Sequence, residues 1–151
     1  MIENARYAHT NIIARDWQTL ANFYQSVFGC VPVPPERNFS GATLEAGTGL
    51  PGAALRGVHL RVPGLGPDGP TLEIFTYSQL ADALPPAVNR PGLAHLAFEV
   101  PSVEQARHQV LAAGGHAIGQ IVTLRPSADH QVTWCYVTDP EGNIIELQSW
   151  G

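Results

Sequence analysis

Two histidines and two glutamates return in this chain in a repeated order. Ala8-His9 recurs 86 residues later as Ala94-His95, and the same shift carries Gly29 onto Gly115, each glycine closing the amphipathic segment after its His. The first repeat ends in Leu72-Glu73-Ile74 and the second in Ile145-Glu146-Leu147. One His and one Glu per repeat are the inventory of a neutral site for a divalent cation, since two carboxylates cancel the ion's charge and imidazole supplies borderline nitrogen donors. Each Glu is flanked by apolar residues. If such a Glu is itself buried, an unpaired charge there is costly, and a shared cation removes that cost.

The elements that must position these groups read twice as β-α-β-β-β. In residues 4–78, the first module, Arg6 to Ala14 alternates as a strand with Tyr7, His9, Asn11 and Ile13 on one face. Asp16 is a natural N-cap, and Trp17, Leu20, Phe23, Tyr24, Val27 and Phe28 recur at helical spacing until Gly29 stops the helix. A second strand is expected over Cys30 to Val33. Pro34-Pro35 then opens a long Gly-rich excursion through Gly52, with a short strand near Ala42 to Glu45. Ala53 to Val62 and Thr71 to Tyr77 complete the module as strands, with Pro63 to Pro70 as a turn.

Residues 79–91 read as a linker, because Pro85-Pro86 and Pro91 block regular structure. The plan restarts in residues 92–151. Leu93 to Val100 is a strand, Ser102 begins a helix with the apolar stripe Val103, Ala106, Val110 and Leu111, and Ala117 to Leu124, Thr133 to Thr138 and Asn143 to Gln148 are strands. Asp139-Pro140-Glu141-Gly142-Asn143 is the turn between the last two. His9 to Glu73 spans 64 residues and His95 to Glu146 spans 51, so the first module carries 13 extra residues, placed within Pro34 to Pro70. Together the modules make one domain, residues 1–151, long enough to bury a core without staples.

Charge and cysteine usage narrow the partners. A formal charge of -5 with eight Lys plus Arg and no basic cluster gives no electrostatic footprint for nucleic acid or an anionic membrane, leaving small molecules. Cys30 and Cys135 are isolated thiols, expected to stay reduced. The first residues lack the pattern of a signal peptide and no apolar run approaches a bilayer span, so a soluble cytoplasmic protein is expected.

The order of these motifs resembles the vicinal oxygen chelate superfamily, which includes glyoxalase I, methylmalonyl-CoA epimerase, extradiol dioxygenases, and fosfomycin and bleomycin resistance proteins. The carriers are His9-Thr10 before Asp16-Trp17, Asn22-Phe23-Tyr24 with Phe28-Gly29, Leu72-Glu73-Ile74, Ala94-His95-Leu96-Ala97-Phe98, and Asp139-Pro140-Glu141-Gly142-Asn143 before Ile145-Glu146-Leu147. The resemblance implies an α+β fold of two tandem βαβββ modules, whose eight strands curl into an open barrel-like metal-binding cavity. It implies metal ligands at His9, Glu73, His95 and Glu146, with Glu146 as the carboxylate that shuttles a proton and Glu73 as its partner.

The ion is implied to be divalent (Ni, Zn, Co or Mn), and the ligand letters do not rank these metals. A His-Glu-His-Glu set is most similar to bacterial glyoxalase I and favours lyase or isomerase chemistry, with proton transfer beside the chelated carbonyl of a small oxygenated metabolite or thioester. Unlike glyoxalase I, however, the opening strand Asn11-Ile12-Ile13-Ala14 offers no Arg for a glutathione carboxylate. Two other readings stay open on the same fold, a metal-free drug- or metabolite-binding resistance protein and a ring-cleaving dioxygenase. The edge strands of such an open barrel need cover, from the two modules of one chain or from two chains, and a homodimer is expected, with the site formed within one chain or between subunits.

Several residues carry weaker expectations. His59 faces either the cavity, as a donor to a ligand, or solvent. His130 is expected in a loop spanning Arg125 to Gln131. Arg56, Arg61 and Arg125 are read as solvated, although a guanidinium suits a carboxylate. Phe23 and Tyr24 belong to the core, Trp134 and Tyr136 form a pocket wall or a dimer contact, and His108 and His116 lie at the surface.

Overall fold

A computed structural model describes all 151 residues. The chain divides into two compact units, Met1–Asp82 and Ala83–Gly151. The first runs β1 (His9–Ile13), α1 (Trp17–Phe28), β2 (Val31–Ser40), α2 (Ala42–Thr48), β3 (Ala54–Arg61) and β4 (Thr71–Tyr77). The second runs β5 (Leu96–Glu99), α3 (Val103–Ala112), β6 (His116–Ala117), β7 (Val122–Ser127), β8 (His130–Thr138) and β9 (Ile144–Trp150). The class is α+β. No helix is long and apolar enough to cross a membrane.

Both sheets follow one strand order. The first unit is ordered β1-β4-β3-β2, and the second β5-β9-β8-β6 with β7 also on β8. The opening strand of each unit therefore lies parallel beside its last strand. Each sheet is open, with free edges.

Local chemistry explains the elements. Asp16 caps α1, its Oδ1 accepting from the Gln18 and Thr19 amides at 3.0 and 3.2 Å. Gly29 ends the helix at φ 70, a left-handed conformation that a Cβ disfavours. Between these caps, Trp17, Leu20, Ala21, Phe23 and Tyr24 are buried against Leu55, Val58, Leu60, Leu72 and Ile74 of the sheet core. Each large apolar side chain so covered contributes about 1.5–3 kcal/mol. Ser102 caps α3 in the same way, accepting from the Gln105 amide at 3.3 Å. Its stripe Val103, Ala106 and Val110 is buried.

Four expectations are corrected. Residues 42–45 are not a strand but open α2: Ala, Leu and Glu favour a helix, and Gly41 and Gly49 terminate it at φ 91 and 68. Pro34-Pro35, a cis pair, does not end β2. The strand runs on to Ser40, because β2 is a sheet edge and the register shifts between Val33 and Arg37, where Pro needs no ladder donor. The single strand expected over 117–124 is interrupted, with β6 and β7 both pairing with β8, so the count is nine strands and not eight. Lastly, the Arg125–Gln131 loop is a tight β7–β8 connection in which Ser127 pairs with His130, and Ser127 Oγ lies 3.0 Å from His130 Nδ1.

The turn between β8 and β9 is built by Asp139, which is fully buried. Its Oδ1 accepts from the Glu141 and Asn143 amides at 2.9 and 3.0 Å, and its Oδ2 from Asn143 Nδ2 at 2.8 Å. Gly142 adopts φ 91 within that turn. The hairpin register this holds sets Tyr136 opposite Glu146.

Candidate functional site

In the first unit, the parallel pairing of β1 with β4 sets Asn11 beside Glu73 and His9 two residues along on the same face. The antiparallel pairing of β3 with β4 sets His59 opposite Glu73 on the other side. Leu72 and Ile74 turn into the core beneath α1, which leaves Glu73 on the opposite face at 7 % exposure. Three donors converge on that carboxylate. His9 Nδ1 and His59 Nε2 lie 3.3 and 3.1 Å from Oε1, and Asn11 Nδ2 reaches Oε2 at 3.5 Å. Burial lowers the His59 pKa from its ordinary value; Glu73 pulls it up, while Arg37 and His9 push it down. His59 also packs on Phe75, ring centroids 5.7 Å apart.

The second unit repeats the arrangement. Leu96 pairs with Ile145 and Ala97 with Glu146, so His95, one residue before β5, bears the same diagonal relation to Glu146. His95 Nε2 lies 3.3 Å from Glu146 Oε2. Tyr136 lies directly across β8–β9 from Glu146, on the same face of the sheet. Burial raises the Tyr136 pKa, and the charge and hydrogen bond of Glu146 raise it further. The Tyr136 ring lies 5.2 Å from His95 and 5.0 Å from Trp134.

Within each unit the structure thus brings the expected His and Glu together. Of the two alternatives left open for His59, a donor to a ligand or a solvated side chain, the structure shows the first, and Tyr136, expected in a pocket wall or a dimer contact, lies opposite Glu146. Period-two alternation alone told which face of its strand His59 occupies relative to its neighbours, but not the β3–β4 register that puts it opposite Glu73. Phe23 and Tyr24 are buried and His108 and His116 exposed, as expected.

The donor chemistry suits a divalent cation, for each half supplies one imidazole and one carboxylate within 3.3 Å of each other. As they stand, the side chains are ion-paired with one another, and no three His, Cys, Asp or Glu surround a common point. His9 and His59 both approach a single Glu73 oxygen, at 3.3 and 3.1 Å, which is an ion-paired arrangement and not a ligand cage. Two concavities of the first unit, about 460 and 500 Å³, border the start of α1 and include Trp17 and Gln18 in their walls. Neither contains His9, His59 or Glu73. The titratable cluster marks the chemistry better than these hollows, because it sets imidazoles in direct contact with a nearly buried carboxylate.

Comparison with known proteins agrees with this architecture. The family model of the glyoxalase-like domain matches residues 9–148. A glyoxalase family protein from Bacillus cereus superposes with a TM-score of 0.74 at 17% identity, covering 99% of this chain and 95% of that one. A fosfomycin resistance protein from Listeria monocytogenes, complexed with Mn(II) and dihydroxypropylphosphonic acid, superposes at 0.56 with 16% identity, covering 99% and 93%. Among curated proteins, a 6-phosphogluconolactonase from Synechocystis is 33% identical over 91 residues, and the match takes in 56% of this chain but 37% of that protein.

Proposed function

This chain belongs to the glyoxalase-like domain family, and on that premise we propose that it is a metal-dependent lyase or isomerase moving a proton beside the chelated carbonyl of a small oxygenated metabolite or thioester. One observation carries the reading: each unit holds a His and a Glu side by side, 3.3 Å apart, at the same diagonal of the same parallel strand pair. His9, Glu73, His95 and Glu146 are the residues that would hold the ion. The Mn(II) bound by the Listeria relative supports a divalent cation as the class of cofactor.

A bound cation of this kind supplies Lewis-acid stabilisation of developing negative charge on the substrate oxygen. The chain's residues do the rest. Glu73, nearly buried and held by three donors, stays in place and holds charge. Glu146 takes the proton from the carbon beside the carbonyl and returns it. Small-molecule substrate, homodimer and a cytoplasmic location belong to the same proposal.

The test is metal analysis of protein purified without chelators, combined with a screen of hemithioacetals, acyl-CoA thioesters and antibiotics. Stoichiometric Ni, Zn, Co or Mn with turnover that EDTA abolishes is the expected result. Protein that binds no divalent ion when titrated, yet binds an antibiotic or metabolite, would replace the enzymatic reading with a sequestering one.

A further inference from the structure

Each candidate ligand carboxylate has a second partner that the repeat of His and Glu does not include. His59 in β3 and Tyr136 in β8 occupy equivalent places: each is the cross-strand neighbour of its unit's Glu on the antiparallel side. Directly opposed residues of an antiparallel pair share a face with Cβ atoms about 4.5–5.5 Å apart, close enough for a polar side chain to hold the one opposite. His59 does so at 3.1 Å, and Tyr136 stands opposite Glu146 with its ring 5.2 Å from that of His95, the other partner of the carboxylate. Each ring is itself braced by an aromatic, Phe75 against His59 and Trp134 against Tyr136. A braced ring gives the carboxylate one preferred orientation.

On the metal reading above, we propose that His59 and Tyr136 are positioning residues that orient Glu73 and Glu146 for the cation, and that they do so unequally. Glu73 is held on both oxygens, by His9 and His59 on Oε1 and Asn11 on Oε2. Where the first unit has Asn11 beside its Glu, the second has Ala97, which offers no donor. Glu146 therefore rests on His95 and Tyr136 without an amide, and its side chain is 19 % exposed against 10 % for Glu73. The geometry makes Glu73 the fixed carboxylate and Glu146 the freer one. This asymmetry comes from the chain itself, independently of any relative.

The experiment is a competition titration of the whole apo chain with Zn(II) against a chromophoric chelator, with thermal unfolding of each apo variant alongside. Partners that orient metal ligands typically control affinity by about 10–100-fold. His59→Leu is expected to weaken Zn(II) binding by about that factor and His59→Gln, which keeps an N–H donor, to restore most of it. Tyr136→Phe, which removes one oxygen and preserves the packing, is expected to weaken binding about tenfold with apo stability little changed, and it keeps the test decisive if His59→Leu does not fold. Placing an amide beside Glu146 with Ala97→Asn should tighten binding severalfold. Wild-type protein that binds Zn(II) tightly, with His59→Leu and Tyr136→Phe equal to it, would overturn the positioning role alone. A wild-type chain that binds no Zn(II), Ni(II), Co(II) or Mn(II) would overturn the metal reading and this one with it.

Discussion

Gly57 lies directly across β3–β4 from Phe75, and a Cβ at Gly57 would overlap the Phe75 ring and the Ile74 carbonyl. The Phe75 ring occupies the space beside Gly57 and packs, tilted, on His59 with centroids 5.7 Å apart. A strand interior normally disfavours glycine, so its presence here marks a close approach. Gly57→Ala should destabilise the fold by about 1–3 kcal/mol through overpacking, read as a lower urea midpoint. It should also displace the ring that braces His59 and weaken metal binding. A variant as stable as the wild type would show that the ring has room to move.

Glu146→Gln should keep the fold and abolish turnover, because the amide cannot take a proton. Glu73→Gln should instead lower metal occupancy first, because it removes a charge from the more firmly held carboxylate. Turnover and metal content measured together separate the two. Unchanged activity in Glu146→Gln would end its assignment as base.

Asp139→Ala leaves the Glu141 and Asn143 amides and Asn143 Nδ2 without the acceptor they use. A fully buried orphaned donor costs about 1–3 kcal/mol, and these part-buried ones less, so the variant should unfold at lower urea. Loss of the turn should also loosen the register that sets Tyr136 opposite Glu146. Asp139→Asn, which keeps one acceptor oxygen, should lose less. Equal midpoints for wild type and Asp139→Ala would mean water replaces the carboxylate in full.

Burial pushes the Cys30 thiol up to about 11 from an ordinary 9.0. Below pH 9 the thiol is protonated in folded and unfolded chains alike. Between 9 and about 11 the unfolded chain ionises first and binds fewer protons, so this group makes stability fall as pH rises through that window. Cys30→Ala should flatten the fall relative to wild type across pH 8–11. In the native protein at pH 7.5 Cys30 should resist thiol reagents and react on denaturation; rapid native labelling at that position would contradict the burial.

Much of this architecture was legible from the residues. Capping side chains and helical spacing marked α1 and α3 closely, since Asp16, Gly29 and Ser102 act through neighbours a few residues away. The last strand of the first unit, Thr71–Tyr77, follows its alternation. What eluded sequence reasoning depended on partners distant in the chain. Pro34-Pro35 read as a break because a proline forbids a central strand, and only the sheet order makes β2 an edge. His59 and Tyr136 entered the site through register, a relation that no local pattern encodes. The resemblance to a known family supplied the assignment of the four ligands; spacing supplied only that one His and one Glu belong to each half.

The parallel neighbours β1 and β4 bring His9 and Glu73 together although 64 residues separate them, and β5 and β9 do the same across 51. Everything between those strands departs from the pair and comes back to it. A half-site closed in this fashion is indifferent to the length of its own detour, so the surface helix Ala42–Thr48 is free to grow, shrink or change sequence while the imidazole and carboxylate keep their distance.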